Sequence, residues 1–208
     1  METMEKIAEG ISIVQATDRL SSNIYVIEHS NRNARAIVGQ QVDSIEAGDG
    51  NDGNNAEIML IDTGDGKTDF AKFLKKEPAL VILTHNHFDH SQGVKEGWNV
   101  YLHEKDLEER KFAHVPKNAK RIDFESIRFH EFEFEIHNTP GHTPGSIVLL
   151  EKKTKILFSG DTLFAGGYPG RTDLEGGNER DMENSLKFIE KLDYGLLCPG
   201  HDEIEKRE

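Results

Sequence analysis

Apolar positions along the chain come in short runs broken by polar and turn-forming residues, a texture that predicts many short strands and few helices. Runs or alternations at 11–14, 23–27 and 57–61 read as strands, with a further short one at 36–38. Four consecutive apolar residues, Leu80, Val81, Ile82 and Leu83, fit a strand buried on both faces. Strands are also predicted at 100–102 and, with a slip near His130, along the alternation Ile127, Phe129, Phe132, Phe134, Ile136. A hairpin follows at 147–150 and 156–158, and a last strand at 195–198. Helical spacing of Phe70, Phe73 and Leu74 predicts a helix at 68–76, and Met182, Leu186, Ile189 and Leu192 one at 180–192. A short helix starting at 91–94 and a charged one at 104–112 complete the reading. Strand, helix, strand from 57 to 83 implies a crossover unit.

The polar residues that end these strands change the picture. His85, His87, Asp89 and His90 follow the Leu80 run at once, placing four potential metal ligands within six residues. In extended chain His85 and His87 project to the same side, and the cluster lies where open α/β sheets place their sites. Three imidazoles and a carboxylate so crowded call for a cation to relieve the crowding. Asp62 ends the 57–61 strand beside Gly64 and is read as a group that holds a neighbouring histidine by hydrogen bond. Pro140-Gly141 and Pro144-Gly145 turns bracket His142 and aim its ring. Asp161 follows Ser159-Gly160 at another strand end, and His201 follows Pro199-Gly200. His103 and His114 lie outside any ligand spacing and read as bystanders, while His130 and His137 stay unassigned.

Composition narrows the setting. With 208 residues, 36% hydrophobic and 30% charged, the chain reads as one globular domain able to bury a substantial core. A turn-rich insertion interrupts it at about 29–57. Its Gly- and Asn-rich part, 48–55, reads as an exposed loop or hairpin tip, with a flap over the site as the alternative. Neither a membrane span nor a signal peptide is visible, so the expected location is cytoplasmic. A net charge of −13 argues against nucleic acid as a partner, and a small molecule is expected instead. The single cysteine, Cys198, excludes an internal disulfide and is expected to be buried and reduced.

Taken together, His85-x-His87-x-Asp89-His90, then His142, Asp161 and His201, strongly resemble the metallo-β-lactamase superfamily. Thr139-Pro140-Gly141-His142-Thr143-Pro144-Gly145 and Gly160-Asp161-Thr162-Leu163-Phe164 look most like its glyoxalase II and persulfide dioxygenase branches. The resemblance implies an α+β fold, a four-layer αβ/βα sandwich of two mixed sheets flanked by helices. It also implies that His85, His87 and His142 hold one metal, Asp89, His90 and His201 a second, and that Asp161 bridges them. Two divalent ions, Zn with Fe or Mn as alternatives, would lie about 3.5–4 Å apart and share a hydroxide. That hydroxide would attack a small thioester or ester, with Asp89 and Asp161 as the catalytic carboxylates. Seven residues follow His201, so the C-terminal helical domain of glyoxalase II is not expected. Arg171 stands near the place of a substrate-contacting lysine in that branch. Gly170-Arg171-Thr172-Asp173 looks closer to the persulfide dioxygenase pattern, in which a single Fe would use His85, His142 and Asp161.

Overall fold

The computed structural model describes residues 3–16, 21–29, 36–38, 43–44 and 57–207, with the backbone alone at 36–38 and 43–44. In chain order the strands are β1 (Met4–Ala8), β2 (Ile11–Val14), β3 (Ile24–His29), β4 (Ala36–Val38), β5 (Asp43–Ser44), β6 (Glu57–Ile61), β7 (Leu80–Ile82), β8 (Val100–His103), β9 (Ala119–Ile122), β10 (Ser126–Phe129), β11 (Phe132–Asn138), β12 (Ile147–Glu151), β13 (Ile156–Gly160), β14 (Leu196–Pro199) and β15 (Glu205–Lys206). They form two mixed sheets, ordered β1-β2-β3-β6-β7-β8-β9 and β15-β14-β13-β12-β11-β10-β4-β5. The α-helices are α1 (Phe88–Ser91) and α2 (Glu179–Ile189). Among the described residues no helix is long and apolar enough to cross a membrane.

The two sheets face each other across the main core. Ile27, Met59, Ile61 and Ile82 of the first meet Ile127, Phe134, Leu149 and Phe158 of the second. Because the pleat alternates, Ile58, Leu60 and Val81 point out of the opposite face, where Phe70, Leu74 and Trp98 cover them. This double burial explains why the 57–61 and 80–83 runs are continuously apolar. The outer face of the second sheet is covered by Ile189 of α2, which packs on Val148, Leu150, Leu157 and Leu197. Asn178 caps α2 by accepting from the Asp181 amide at 3.0 Å. Cys198 is buried and free, with burial pushing its thiol up to about 12.

The sequence-based strands at 11–14, 36–38 and 57–61 stand where expected, and the alternation at 127–136 splits at His130 into β10 and β11. Four strands carry no pattern that predicts them: β1, β5, β9 and β15. All four lie at sheet edges, where a strand needs neither two apolar faces nor length.

Two expected helices are corrected. At 68–76 only a 3-10 turn, Phe70–Lys72, forms. Phe70 and Leu74 reach the core from that single turn, Phe70 against the Trp98 ring at 5.3 Å. β6 and β7 are still parallel neighbours, so the crossover exists without its helix. At 104–112 the chain makes one 3-10 turn, Glu104–Asp106, because Asp106 is drawn into the interior. The helix expected from 91 lies earlier, at α1, directly behind His87. Of the insertion at 29–57, only His29, β4, β5 and Glu57 are described; the loop at 48–55 lies outside the described residues.

β6, β7, β13 and β14 all end at one rim, which is knitted across the sheets. Ile147 donates its amide to Thr84 O at 2.9 Å and Asn23 to Gly200 O at 2.7 Å, while within the first sheet's side Ser22 donates to Asp89 O at 3.0 Å. Gly160 has φ +49, and a Cβ there would lie 2.6 Å from Thr84 Oγ1, so only glycine lets the sheets close this tightly.

Phe158, fully buried against the Tyr25 ring at 4.9 Å, tests the core between the sheets. Phe158→Ala should cost about 3–5 kcal/mol of unfolding free energy in urea titrations, whereas Phe188→Ala, 37% exposed on α2, should cost well under half that.

Candidate metal centre

Four chain segments deliver seven ligand-type side chains to the rim. The turn after β7 brings His85 and His87, and α1 brings Asp89 and His90. The loop between β11 and β12 brings His142, the end of β13 brings Asp161, and the end of β14 brings His201. Three sets have ligand atoms within 4.8 Å of one another: His85, His87 and His142; His85, His90 and Asp161; and Asp89, His90 and His201. His87 Nδ1 lies 2.8 Å from His142 Nε2, and His90 Nε2 lies 3.3 Å from His201 Nε2. Asp161 sits between the halves, with Oδ1 3.2 Å from His90 Nε2 and Oδ2 3.5 Å from both His142 Nε2 and His201 Nε2. Asp89 Oδ2 is 3.1 Å from His201 Nε2.

The rings are aimed by hydrogen bonds on their outer nitrogens. Asp62, buried and at φ +60, accepts from the Thr84 amide and hydroxyl, each at 2.8 Å, and from His90 Nδ1 at 2.8 Å. Since the Thr84 hydroxyl donates to Asp62, it accepts from His85 Nδ1 at 3.1 Å. His142 Nδ1 donates to the Arg171 carbonyl at 2.8 Å. In His85, His90 and His142 the Nε2 atom is thereby left facing the centre. Metal sites are commonly built this way, with outer partners fixing tautomer and orientation.

Electrostatics divide the rim. Burial, followed by the neighbouring His90 and His142, pushes His85 well below the usual histidine range. Burial and then His142 bring His87 down to about 4. Both rings are therefore neutral, with lone pairs available. At His90 burial is outweighed by the Asp161 and Asp62 carboxylates, which raise it well above its ordinary value. At His201 hydrogen bonds to Asp161 and Asp89 outweigh burial and lift it to about 9. Burial raises Asp161, but His90 and His201 hold it well below the usual carboxylate range. This half of the rim favours positive charge.

A cation fits the donor set on a direct observation. His85 Nε2 is buried at the centre and makes no hydrogen bond, and Asp161 Oδ1 beside it has only the 3.2 Å ion-pair contact to His90 Nε2. Unpartnered buried polar atoms are costly, and a borderline divalent ion coordinated by imidazole and carboxylate removes that cost. Gly200 shows the same crowding, since a Cβ there would lie 2.2 Å from Asp161 Oδ1.

Two supports have no ligand spacing in the sequence. Asp106 accepts from the Asn86 amide at 3.2 Å, the Thr143 hydroxyl at 2.6 Å and the Gly145 amide at 2.8 Å, clamping the His85 loop to the His142 loop. Asn23 donates its side-chain amide to Pro199 O at 3.1 Å and Asp202 O at 3.0 Å, holding the loop that carries His201. A charged residue inside a predicted charged helix gives no sign that it turns inward. Of the remaining histidines, His103 accepts from the Lys105 amide and His130 pairs with Glu57 at 2.8 Å. Neither belongs to the rim. Arg171 lies over the rim, but its guanidinium is held by Asp173 through bonds of 2.8 and 2.7 Å.

The outer supports make a measurable claim. Asp62→Asn should weaken metal retention about 10–100-fold in chelator competition with little loss of helix or sheet signal. Asp106→Ala, which strands three buried donors, should lower the melting temperature as well as metal retention.

The chain's similarity to other proteins follows the same residues. Residues 52–201, a span that contains all seven, match the metallo-beta-lactamase superfamily. The probable metallo-hydrolase YqgX of Bacillus subtilis is 32% identical over 171 residues, 70% of this chain and 80% of that one. Hydroxyacylglutathione hydrolase GloC of Haemophilus influenzae is 32% identical over 146 residues, 59% of this chain and 68% of that one. Among solved structures, ETHE1 from Myxococcus xanthus has the same fold, with a TM-score of 0.61 at 24% identity over 93% of this chain and 79% of that one. By fold, by rim and by these matches, the chain belongs to the metallo-beta-lactamase superfamily.

Proposed function

We propose that the protein is a metal-dependent hydrolase acting on a small thioester or ester, with His85, His87 and His142 holding one divalent ion and Asp89, His90 and His201 a second. The observation that carries this reading is Asp161, whose two oxygens face both sets of imidazoles from a half-buried position on the cleft floor. Similarity to a hydroxyacylglutathione hydrolase supports the thioester class, since an acylglutathione is a thioester.

When bound, the two ions supply Lewis acidity and an activated water. The protein's own part is placement. Asp62 and Thr84 fix His90 and His85, and the Arg171 carbonyl fixes His142, so that the donors are set before substrate arrives. Asp89 stands at the open side of the rim, where its carboxylate can orient the attacking water and take its proton. The water oxygen bonds to the acyl carbon, and the C–S bond breaks with its electron pair going to sulfur. A thiol with a reference pKa of about 8.5 leaves as thiolate without a general acid. This suits the cleft, which brings no lysine or tyrosine to the rim among its described lining residues.

Elemental analysis of protein purified without added metal or chelator should give two ions per chain, with thioester turnover and no oxygen uptake on glutathione persulfide. One iron per chain with oxygen consumption would replace this reading by the mononuclear dioxygenase. Asp161→Ala should lose both bound metal and turnover, and full metal content in that variant would overturn its bridging role. His103→Ala, at the end of β8 and outside the three ligand sets, should keep near-wild-type kcat/KM.

A further inference from the structure

Above the rim opens a cleft of about 1210 Å³. Its walls are unusual in two respects. Its large apolar side chains are Phe88, Phe112, Phe164 and Leu174. They stand on both sides of the ligand residues. Phe112 adjoins the His87 side, where Phe88 donates its amide to Phe112 O at 2.9 Å and Ala113 bridges to His87. Phe164 stands on the other side, its ring centroid 6.3 Å from that of His201. Phe112 is 45% exposed and is held at φ +71, a conformation that bulky side chains rarely adopt. A large aromatic ring kept in strained backbone and turned to solvent at the mouth of a site is a ring waiting for a ligand.

The second respect is charge. Besides the histidines, Arg171 is the single cationic side chain among the described residues that line the cleft, and its Nε and Nη2 already donate to the two oxygens of Asp173. Lys111 lies nearby with its ammonium 5.1 Å from the Phe112 ring centroid, yet it does not line the cleft. Asp202 and Glu203 line the mouth and are exposed. The whole chain carries a net charge of −13, and that field reinforces the local one. Among the described lining residues a thiol carrier with two carboxylates meets one guanidinium already paired with Asp173, and two like charges.

We propose that the cleft selects an uncharged thioester or ester whose apolar arm packs against Phe112 and Leu174, and that it discriminates against carriers bearing several carboxylates. The inference rests on the hydrolase reading above for its chemistry, and on the cleft walls alone for its selectivity. Glu203 and Asp202 set the charge preference. Phe112 and Leu174 set the preference for the arm.

Two thioethers that cannot be hydrolysed separate the two claims: S-(2-phenylethyl)-N-acetylcysteamine, which is uncharged, and S-(2-phenylethyl)glutathione, which carries the same arm on a carrier with two carboxylates. Calorimetry on the metal-loaded protein should show the uncharged compound binding at least about ten-fold tighter, with the gap shrinking as salt is raised. Glu203→Lys should narrow the gap, and Phe112→Ala and Leu174→Ala should each weaken both phenylethyl compounds several-fold while sparing S-methyl-N-acetylcysteamine. Equal or tighter binding of the glutathione compound would overturn the charge claim, and unchanged binding in both alanine variants would overturn the arm. The phenylacetyl thioesters of the same two thiols then test the chemistry. Tight binding of the uncharged thioether with neither thioester hydrolysed would sink the hydrolase reading and leave the selectivity standing.

Discussion

Polar atoms buried without partners are among the most expensive features a fold can contain, and this one gathers five imidazoles and two carboxylates at a single rim. Much of the surrounding structure is arranged to make that arrangement tolerable. Outer nitrogens are satisfied by Asp62, Thr84 and the Arg171 carbonyl, and positive charge at His90 and His201 is matched by Asp161 and Asp89. What remains unsatisfied, His85 Nε2, lies at the centre beside the Asp161 carboxylate, where a cation belongs.

The two-sheet core supplies the rigidity that such a site needs. Ligands arrive from β7 of one sheet and from β13 and β14 of the other, so their spacing depends on how closely the sheets approach. Gly160 against Thr84 and Gly200 against His90 set that approach with no room for a methyl group. Asp106 and Asn23 then tie the loops that strand geometry alone would leave free. The positive φ of Asp62 belongs to the same design, because it turns the carboxylate off the end of β6 toward both Thr84 and His90.

The same rim is sharply polarised in function. Its floor is rich in ligands, while its walls are apolar and its mouth acidic. Arg171, which by position alone looks like a handle for an anionic substrate, is paired with Asp173 two residues on. Charge counted along a sequence does not reveal whether a cation is free, since that depends on which carboxylate lies within reach.

By itself the sequence determined the strands with continuous or alternating apolar runs, because burial on one or both faces leaves a period that survives in one dimension. It also exposed all seven rim residues, because each follows a strand or sits between tight turns, where short-range order aims a side chain. Only the tertiary structure decided what depends on distant partners. The edge strands β1, β5, β9 and β15 exist because a neighbour offers a free edge, and their own side chains carry no sign of it. The expected helices at 68–76 and 104–112 shrank to single turns because Phe70 and Leu74 reach the core from one turn and Asp106 is pulled inward by donors from two other loops. Asp106 and Asn23 became visible as supports only once the chain had folded, since a hydrogen-bonded clamp is defined by the partners it joins and those lie far away in the sequence.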